Sequence, residues 1–276
     1  MANAPTKPTT TPKKESGSAS GMFATLTVPL CIIVSICIFV FILGDNSHYQ
    51  GGDPTLEPTD VFGIVHKGGY LVPLVMSYVL MVIVFSIERF IVIGKASGTS
   101  SVDAFVKRIQ GFLNTGNIDA AAAECDKQKG SVANVIKAGL KKYKEMETEA
   151  TLDVDQKTLA IQKDIEEATA LEMPMLEQNL TIIATLVAIG TLTGLLGTVI
   201  GMIKAFHELS GASQNSSQLS AAISEALVNT ALGISTSALS IVMYNVFTSK
   251  IDSLTYAIDE TGFSIVQTFA ASHKNK

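Results

Sequence analysis

The chain has 276 residues, 47% of them hydrophobic and only 16% charged, with a formal net charge of -5 at pH 7. That balance excludes an ordinary water-soluble domain, and the acidic sum, with no stretch interleaving bases and aromatics, argues against a nucleic-acid partner. A bilayer core of about 30 Å takes roughly 20 apolar residues at 1.5 Å each, and segments 23–43, 69–93, 180–206 and 219–247 meet or approach that length.

Residues 1–21, MANAPTKPTTTPKKESGSASG, are rich in Pro, Thr, Ser and Lys without an apolar period, which predicts a disordered tail. Segment 22–43 is too long for the apolar region of a signal peptide and ends in FILGDNS without an A-x-A type site, so it is predicted to be an uncleaved anchor helix. Cys31 and Cys37, six residues apart, face different sides of that helix and read as apolar filler. With Cys125 in a polar stretch, no disulfide framework or shared metal is suggested.

Lysine and arginine placement sets the orientation. Lys7, Lys13 and Lys14 precede the first span, whereas the loop 44–68 carries Lys67 against Asp45, Asp53, Glu57 and Asp60. The amino terminus is therefore predicted inside and the loop 44–68 outside. The second span, 69–94, returns inward and ends at SIERFIVIGK, where Glu88 and Arg89 can pair or snorkel.

Segment 95–178 is lysine-rich and predicted to be a cytoplasmic helical domain, with helices over 102–113, 118–127, 132–143 and 152–172; the last is expected to run toward the third span with Pro174 as the one break. Its charged faces read most simply as solvated surface. The third span, 179–206, leads to a loop 207–218 without Lys or Arg, expected outside. The fourth span, 219–249, leads to a cytoplasmic tail 250–276. The fold class is thus an all-α membrane protein with four transmembrane helices and a helical cytoplasmic domain.

The third span contains GTLTGLLGTVIGMIKAF, residues 190–206. Gly190 with Gly194, and Gly197 with Gly201, have the four-residue spacing that lets membrane helices approach closely. On a helix Thr191, Gly194, Thr198 and Gly201 share a small, partly polar face suited to packing on protein. The fourth span carries Glu225, Asn229, Thr236 and Ser240 at helical spacing, with Thr230 and Ser237 beside them. An ionisable group inside a membrane is costly and faces a bundle or wet cavity, so Glu225 is a functional candidate; its alternative is hydration near the outer interface. Two such stripes have the chemistry of a proton or ion path, because hydroxyls both donate and accept. Helix packing alone is the other reading.

GLLGTVIGMIKAF at 194–206, EALVNTALG at 225–233, YNVF at 244–247 and IERF at 87–90 resemble the motifs of the MotA/TolQ/ExbB proton channel family, over roughly 69–254 and nearer to its ExbB and TolQ branch. The resemblance implies a pentamer around two copies of a single-span ExbD-like or TolR-like partner that supplies a membrane aspartate. It implies a bacterial inner-membrane setting and a TonB-like protein among the associated chains. Thr198 and Thr230 would face the partner's aspartate, Glu225 would shape the electrostatics, and proton flow would drive rotation that energises outer-membrane transport or envelope maintenance. Where family members carry proline this chain has Thr191 and Leu239, and Thr191 is expected to extend the polar path. The anchor helix is an addition to the family's three spans, expected outside the pentamer.

A flagellar or gliding type stator is the alternative function, and a non-conducting membrane scaffold the second. An enzyme reading finds no phosphate-binding loop, and His48, His66, His207 and His273 have no ligand or triad spacing; neither cofactor nor metal is expected. His207, expected at the outer end of the third span, is a candidate for tuning proton entry.

Overall fold

The computed structural model describes residues 17–53, 56–210 and 216–273. Among them there is no strand, only one antiparallel bridge between Tyr49 and Pro58. The helices are α1 Gly17–Cys37, extended by a π-helical stretch Ile38–Leu43, α2 Val61–His66, α3 Val72–Ser97, α4 Val102–Asn114, α5 Ile118–Gln128, α6 Gly130–Thr148, α7 Val154–Glu177, α8 Leu180–Ser210 and α9 Ser216–His273. Four stretches are long and apolar enough to cross a membrane: Phe23–Leu43, Gly69–Asn114, Leu180–Leu209 and Ser216–His273. The chain is an all-α membrane protein.

Local chemistry fixes the helix starts. Asp60, Ser101, Asn117 and Asp153 each stand one residue before a helix and accept a hydrogen bond from a backbone N–H of its first turn, and Asp153 with Gln156 completes a reciprocal capping box. Such a cap contributes about 1 kcal/mol. The helices 102–113, 118–127, 132–143 and 152–172 read from the sequence correspond to α4, α5, α6 and α7.

Two regions flank the spans. At one end residues 44–53 and 56–68 form a small cap between α1 and α3. His48 Nδ1 lies 2.7 Å from Asp60 Oδ2, Tyr49 Oη lies 2.5 Å from His66 Nδ1, and Lys67 Nζ donates to the Leu56 carbonyl at 2.6 Å. At the other end α4 to α7 and the second half of α9 form a base around buried Phe105, Ile109, Ile136, Leu140, Ile161 and Phe269. α1 lies on α3, where Ser35 Oγ donates to the Pro73 carbonyl at 2.5 Å and Phe23 meets Phe85 edge to face.

Three expectations are corrected. Helix α7 runs through Pro174, which sits in its last turn, and the break falls at Gln178 and Asn179, the latter with φ +62. Asparagine tolerates the left-handed region that most side chains avoid, so it makes the joint there. Second, α9 does not end near residue 249. It continues to His273 because Ile251, Leu254, Ile258, Ile265 and Phe269 keep a helical period and bury themselves in the base, so the expected tail is helical up to that residue. Third, α8 reaches Ser210 and α9 starts at Ser216, so much of the expected loop 207–218 is helix; residues 211–215 lie outside the described ones, as do 1–16 of the expected tail. Within 152–172 the three apolar residues also separate: Ile165 is buried, whereas Leu159 and Leu171 are exposed.

The joint at Asn179 is held from α3. The Arg89 side chain, 1% exposed, bonds the Glu88 carboxylate and donates from Nη1 to the carbonyls of Met175 at 3.2 Å and Leu176 at 3.1 Å, the end of α7. A cation on the last carbonyls of a helix satisfies groups with no partner inside that helix and complements its dipole. Asn179 Nδ2 approaches Glu88 Oε2 at 3.4 Å, closing the cluster.

Candidate functional site

α8 and α9 run antiparallel along a seam of small residues. An ideal Cβ added at Gly190 would lie 2.9 Å from Ser237 Oγ, at Gly194 3.1 Å from the Gly233 Cα, at Gly197 2.4 Å from Asn229 Cβ, and at Gly201 2.5 Å from Ala226 Cβ. The face of α8 turned to α9 is therefore Gly190, Gly194, Gly197 and Gly201, and α9 answers with Ala222, Ala226, Asn229, Gly233 and Thr236, all buried. The spacing on both helices alternates three and four residues, the pattern that keeps one seam in register. Between membrane helices such close backbone approach supplies the packing that hydrophobicity cannot.

The hydroxyls border this seam unequally. Thr191 Oγ1 lies 2.7 Å from Ser237 Oγ, and Ser237 Oγ lies 2.6 Å from the Val187 carbonyl, so these two residues bridge the helices. Thr230 Oγ1 donates across the seam to the Gly194 carbonyl or back to the Ala226 carbonyl, at 3.1 Å each. Thr236 and Ser240 are fully buried and bond only carbonyls of their own helix, Leu232 and Thr236 respectively. Thr198 bonds the Leu195 carbonyl of its own helix at 2.6 Å, and the shallow depression around it is lined by Val199, Met202, Ile203 and Phe206, all on α8. Thr191 and Thr198, seven residues apart, do share a flank of α8. The chain joins Thr191 to α9 and turns Thr198 outward, whereas Thr230 bonds across the seam.

At the cap end of the seam stands the ionisable group. Glu225, with its side chain 13% exposed, accepts a hydrogen bond from Lys204 Nζ at 2.6 Å. Gly69 has φ +78, and a Cβ there would lie 2.4 Å from Glu225 Oε1, so the carboxylate touches backbone that only glycine leaves open. Tyr70 puts its ring centroid 5.4 Å from Lys204 Nζ. Asn229 Nδ2 donates to the Gly68 carbonyl at 2.7 Å and to the Glu225 carbonyl at 3.0 Å. Its Oδ1 is buried without a hydrogen-bond partner. Glu225 is thus paired, with its carboxylate between Lys204 and the Gly69 backbone.

Lys204 is the residue that sequence reasoning missed. The signal was a lone cation in an apolar helix 21 residues before a lone anion in the next, but their meeting depends on the hairpin register. The contacts of Gly68, Gly69 and Tyr70 depend equally on how the cap folds back. No cluster of three or more His, Cys, Asp or Glu side chains suited to a metal occurs among the described residues.

Residues 127–260 match the family described as the MotA/TolQ/ExbB proton channel family. The chain is 24% identical over 205 residues to the Tol-Pal system protein TolQ of Pseudomonas aeruginosa, covering 72% of this chain and 87% of that one. It is 36% identical over 88 residues to a putative biopolymer transport protein, ExbB-like 3, of Synechocystis sp., covering 31% of this chain and 42% of that one. With the TolQ of Haemophilus influenzae it shares 34% identity over 84 residues, 30% of this chain and 37% of that one. The family match takes in α6 to α8 and α9 as far as Glu260, with the whole glycine seam and the Lys204–Glu225 pair, while α1 to α4 and the cap lie outside it.

Proposed function

We propose, from the premise that residues 127–260 belong to the MotA/TolQ/ExbB proton channel family, that this chain is a proton-conducting subunit of an ExbB/TolQ-like inner-membrane motor driven by the proton-motive force. The observation that carries the reading is the polar seam itself: two spans packed through glycine, bordered by Thr191, Ser237 and Thr230, with an ionisable residue at one end. A purely structural hairpin needs the glycines but not the hydroxyls on its flank or the carboxylate.

In this reading several protomers, five by family resemblance, surround two copies of a single-span ExbD-like or TolR-like partner whose membrane aspartate carries the proton. Thr198, on the face of α8 turned away from α9, and Thr230 present hydroxyls toward that aspartate. Thr191, Asn229 and Thr236 line or brace the path, and Glu225 sets its field. Both termini and the base are cytoplasmic and the cap is periplasmic, which agrees with the lysine distribution. One proton crossing 100 mV releases about 2.3 kcal/mol, so a few protons suffice for a conformational step. The load is outer-membrane transport or envelope maintenance.

The hydroxyls' bonds to carbonyls of their own helices favour one second reading, a non-conducting scaffold in which they merely satisfy backbone. The test is to purify the tagged complex from its native membrane, identify each chain by native mass, and measure proton uptake in liposomes for the wild type, Thr198→Val and Thr230→Val. Five copies of this chain, two of an aspartate-bearing partner, and flux cut at least tenfold in both variants support the motor. Absence of flux in an intact wild-type complex refutes it in favour of the scaffold.

A further inference from the structure

The ion pair at the cap end of the seam is formed by three parts of the chain that the sequence keeps apart. Glu225 comes from α9, Lys204 from α8, and the turn Gly68, Gly69 and Tyr70 from the junction of the cap with α3. A residue that carries protons must exchange them with water or a neighbouring acid. Glu225 instead has its carboxylate on an ammonium at 2.6 Å and against the Gly69 backbone, where a single added carbon would lie 2.4 Å away. One turn further along α9, Asn229 spends both amide hydrogens on the Gly68 and Glu225 carbonyls, so the cap turn is tied to α9 at two adjacent places.

We propose that Lys204 and Glu225 form a latch that fastens the cap turn 68–70 onto the α8–α9 seam and closes the seam at that end, with Lys204 as the positioning residue that holds Glu225 as a fixed, neutralised anion. The inference rests on the conduction reading above for its effect on flux, but not for the pairing itself. It separates two roles for Glu225 that the family resemblance leaves joined. As a proton carrier, Glu225 would be needed whatever stands at position 204. As half of a latch, it does harm when unpaired, because the largely buried carboxylate that loses its partner is costly, whereas Lys204, 43% exposed, stays hydrated and removal of both charges is well tolerated.

The experiment uses the full complex reconstituted in liposomes, with Lys204→Met, Glu225→Gln, the double variant, the swap Lys204→Glu with Glu225→Lys, and Lys204→Arg. Unfolding midpoint in detergent and proton uptake per assembled complex are both read. The latch predicts that Lys204→Met, which strands the largely buried Glu225, lowers the midpoint by several degrees, and Glu225→Gln, which leaves the half-exposed Lys204, by less. The double variant should recover at least half of the summed loss, and its flux should exceed that of either single variant several-fold. Lys204→Arg, which keeps the cation, should stay near wild type in both readouts, while Lys204→Met, which keeps the stem without the charge, should not; mere space-filling at position 204 would spare both.

Additive midpoint losses in the double variant overturn the pairing. A recovered midpoint with flux still abolished overturns the latch and makes Glu225 the carrier. Should the single variants fail to assemble, Tyr70→Leu supplies the same test from the third side: it removes the ring that lies 5.4 Å from Lys204 Nζ and leaves both charges, and its midpoint loss should shrink in the double-neutral background. An unchanged loss there overturns the proposal. A wild-type complex that carries no protons refutes the conduction reading alone, while the midpoints still decide the pairing.

Discussion

Gly233→Ala tests the α8–α9 seam where backbone meets backbone. A Cβ on Gly233 would stand 2.6 Å from the Gly190 carbonyl oxygen, 2.7 Å from Gly194 Cα and 3.0 Å from Gly194 N. All three are backbone atoms of α8, so no side-chain rotation relieves the clash and the helices must part. Restoring a carbon–carbon separation of about 3.5 Å requires roughly 0.8 Å of movement. A gap of that size forfeits a quarter to a half of the dispersion attraction along the seam and stretches the Thr191–Ser237 and Thr230–Gly194 hydrogen bonds. Overpacking of this kind costs about 1–3 kcal/mol, here toward the upper end, and alanine's helix propensity returns about 1 kcal/mol of it. The net of about 2 kcal/mol corresponds to a fall of roughly 4–8 °C in the unfolding midpoint of the purified complex. Gly111→Ala is the internal control: nothing lies within 4 Å of its added Cβ, so helix propensity alone acts and the midpoint holds or rises. A Gly233→Ala midpoint indistinguishable from that of Gly111→Ala would refute the close-packing argument.

Other outcomes follow from groups away from the seam. Arg89→Met strands the Glu88 carboxylate and uncaps α7, so stability should drop by about 3–5 kcal/mol in thermal unfolding, and Arg89→Lys should restore only part of it because an ammonium lacks the planar fork. Burial holds the His66 imidazole below its ordinary range. The folded cap therefore favours the neutral ring, and its stability, complete above the ordinary imidazole range, declines as pH falls through that range toward the lowered value. Amide hydrogen exchange in residues 44–68 should lose protection on acidification, and His66→Gln should weaken that dependence. Burial, with Asp126 adding to it, pushes the Cys125 thiol up to about 12. At pH 8 only about one molecule in 10,000 carries the thiolate, so alkylation of Cys125 in the folded chain should be far slower than in the denatured chain, as mass spectrometry of the labelled peptide would read.

What the sequence made legible was whatever depends on neighbours along the chain. Apolar run length located the spans, and the four-residue glycine spacing of Gly190, Gly194, Gly197 and Gly201 announced a close helix contact, which Gly233 and Asn229 complete. The misplaced features depend on what a residue meets in space. Pro174 looked like the break because proline removes a helix rung, yet it costs only the bond to the carbonyl four residues back, while the end of α7 is fixed by what it meets in space: Arg89, 86 residues before Met175, takes up the last carbonyls. The end of α9 was placed where the membrane-grade apolar run stops, because the sparser period of Ile251, Leu254, Ile258 and Ile265 is that of a helix facing protein on one side and water on the other. Glu225 was visible as an anomaly. Its partner was not, since Lys204 joins it only once α8 and α9 are in register.

The contrast between α9 and its neighbour has a mechanical meaning. At 1.5 Å per residue, the 58 residues of Ser216–His273 make a rod of about 87 Å with neither proline nor joint, and about 66 Å of it separates the Lys204–Glu225 pair from the Phe269–Tyr143 contact in the base. α8 is coupled to α7 only through the swivel at Asn179, held by Arg89. In the proposed motor, α9 is the helix placed to carry a change beside Glu225 to α4, α6 and α7 without a break, whereas α8 meets a joint at Asn179 before it reaches the base.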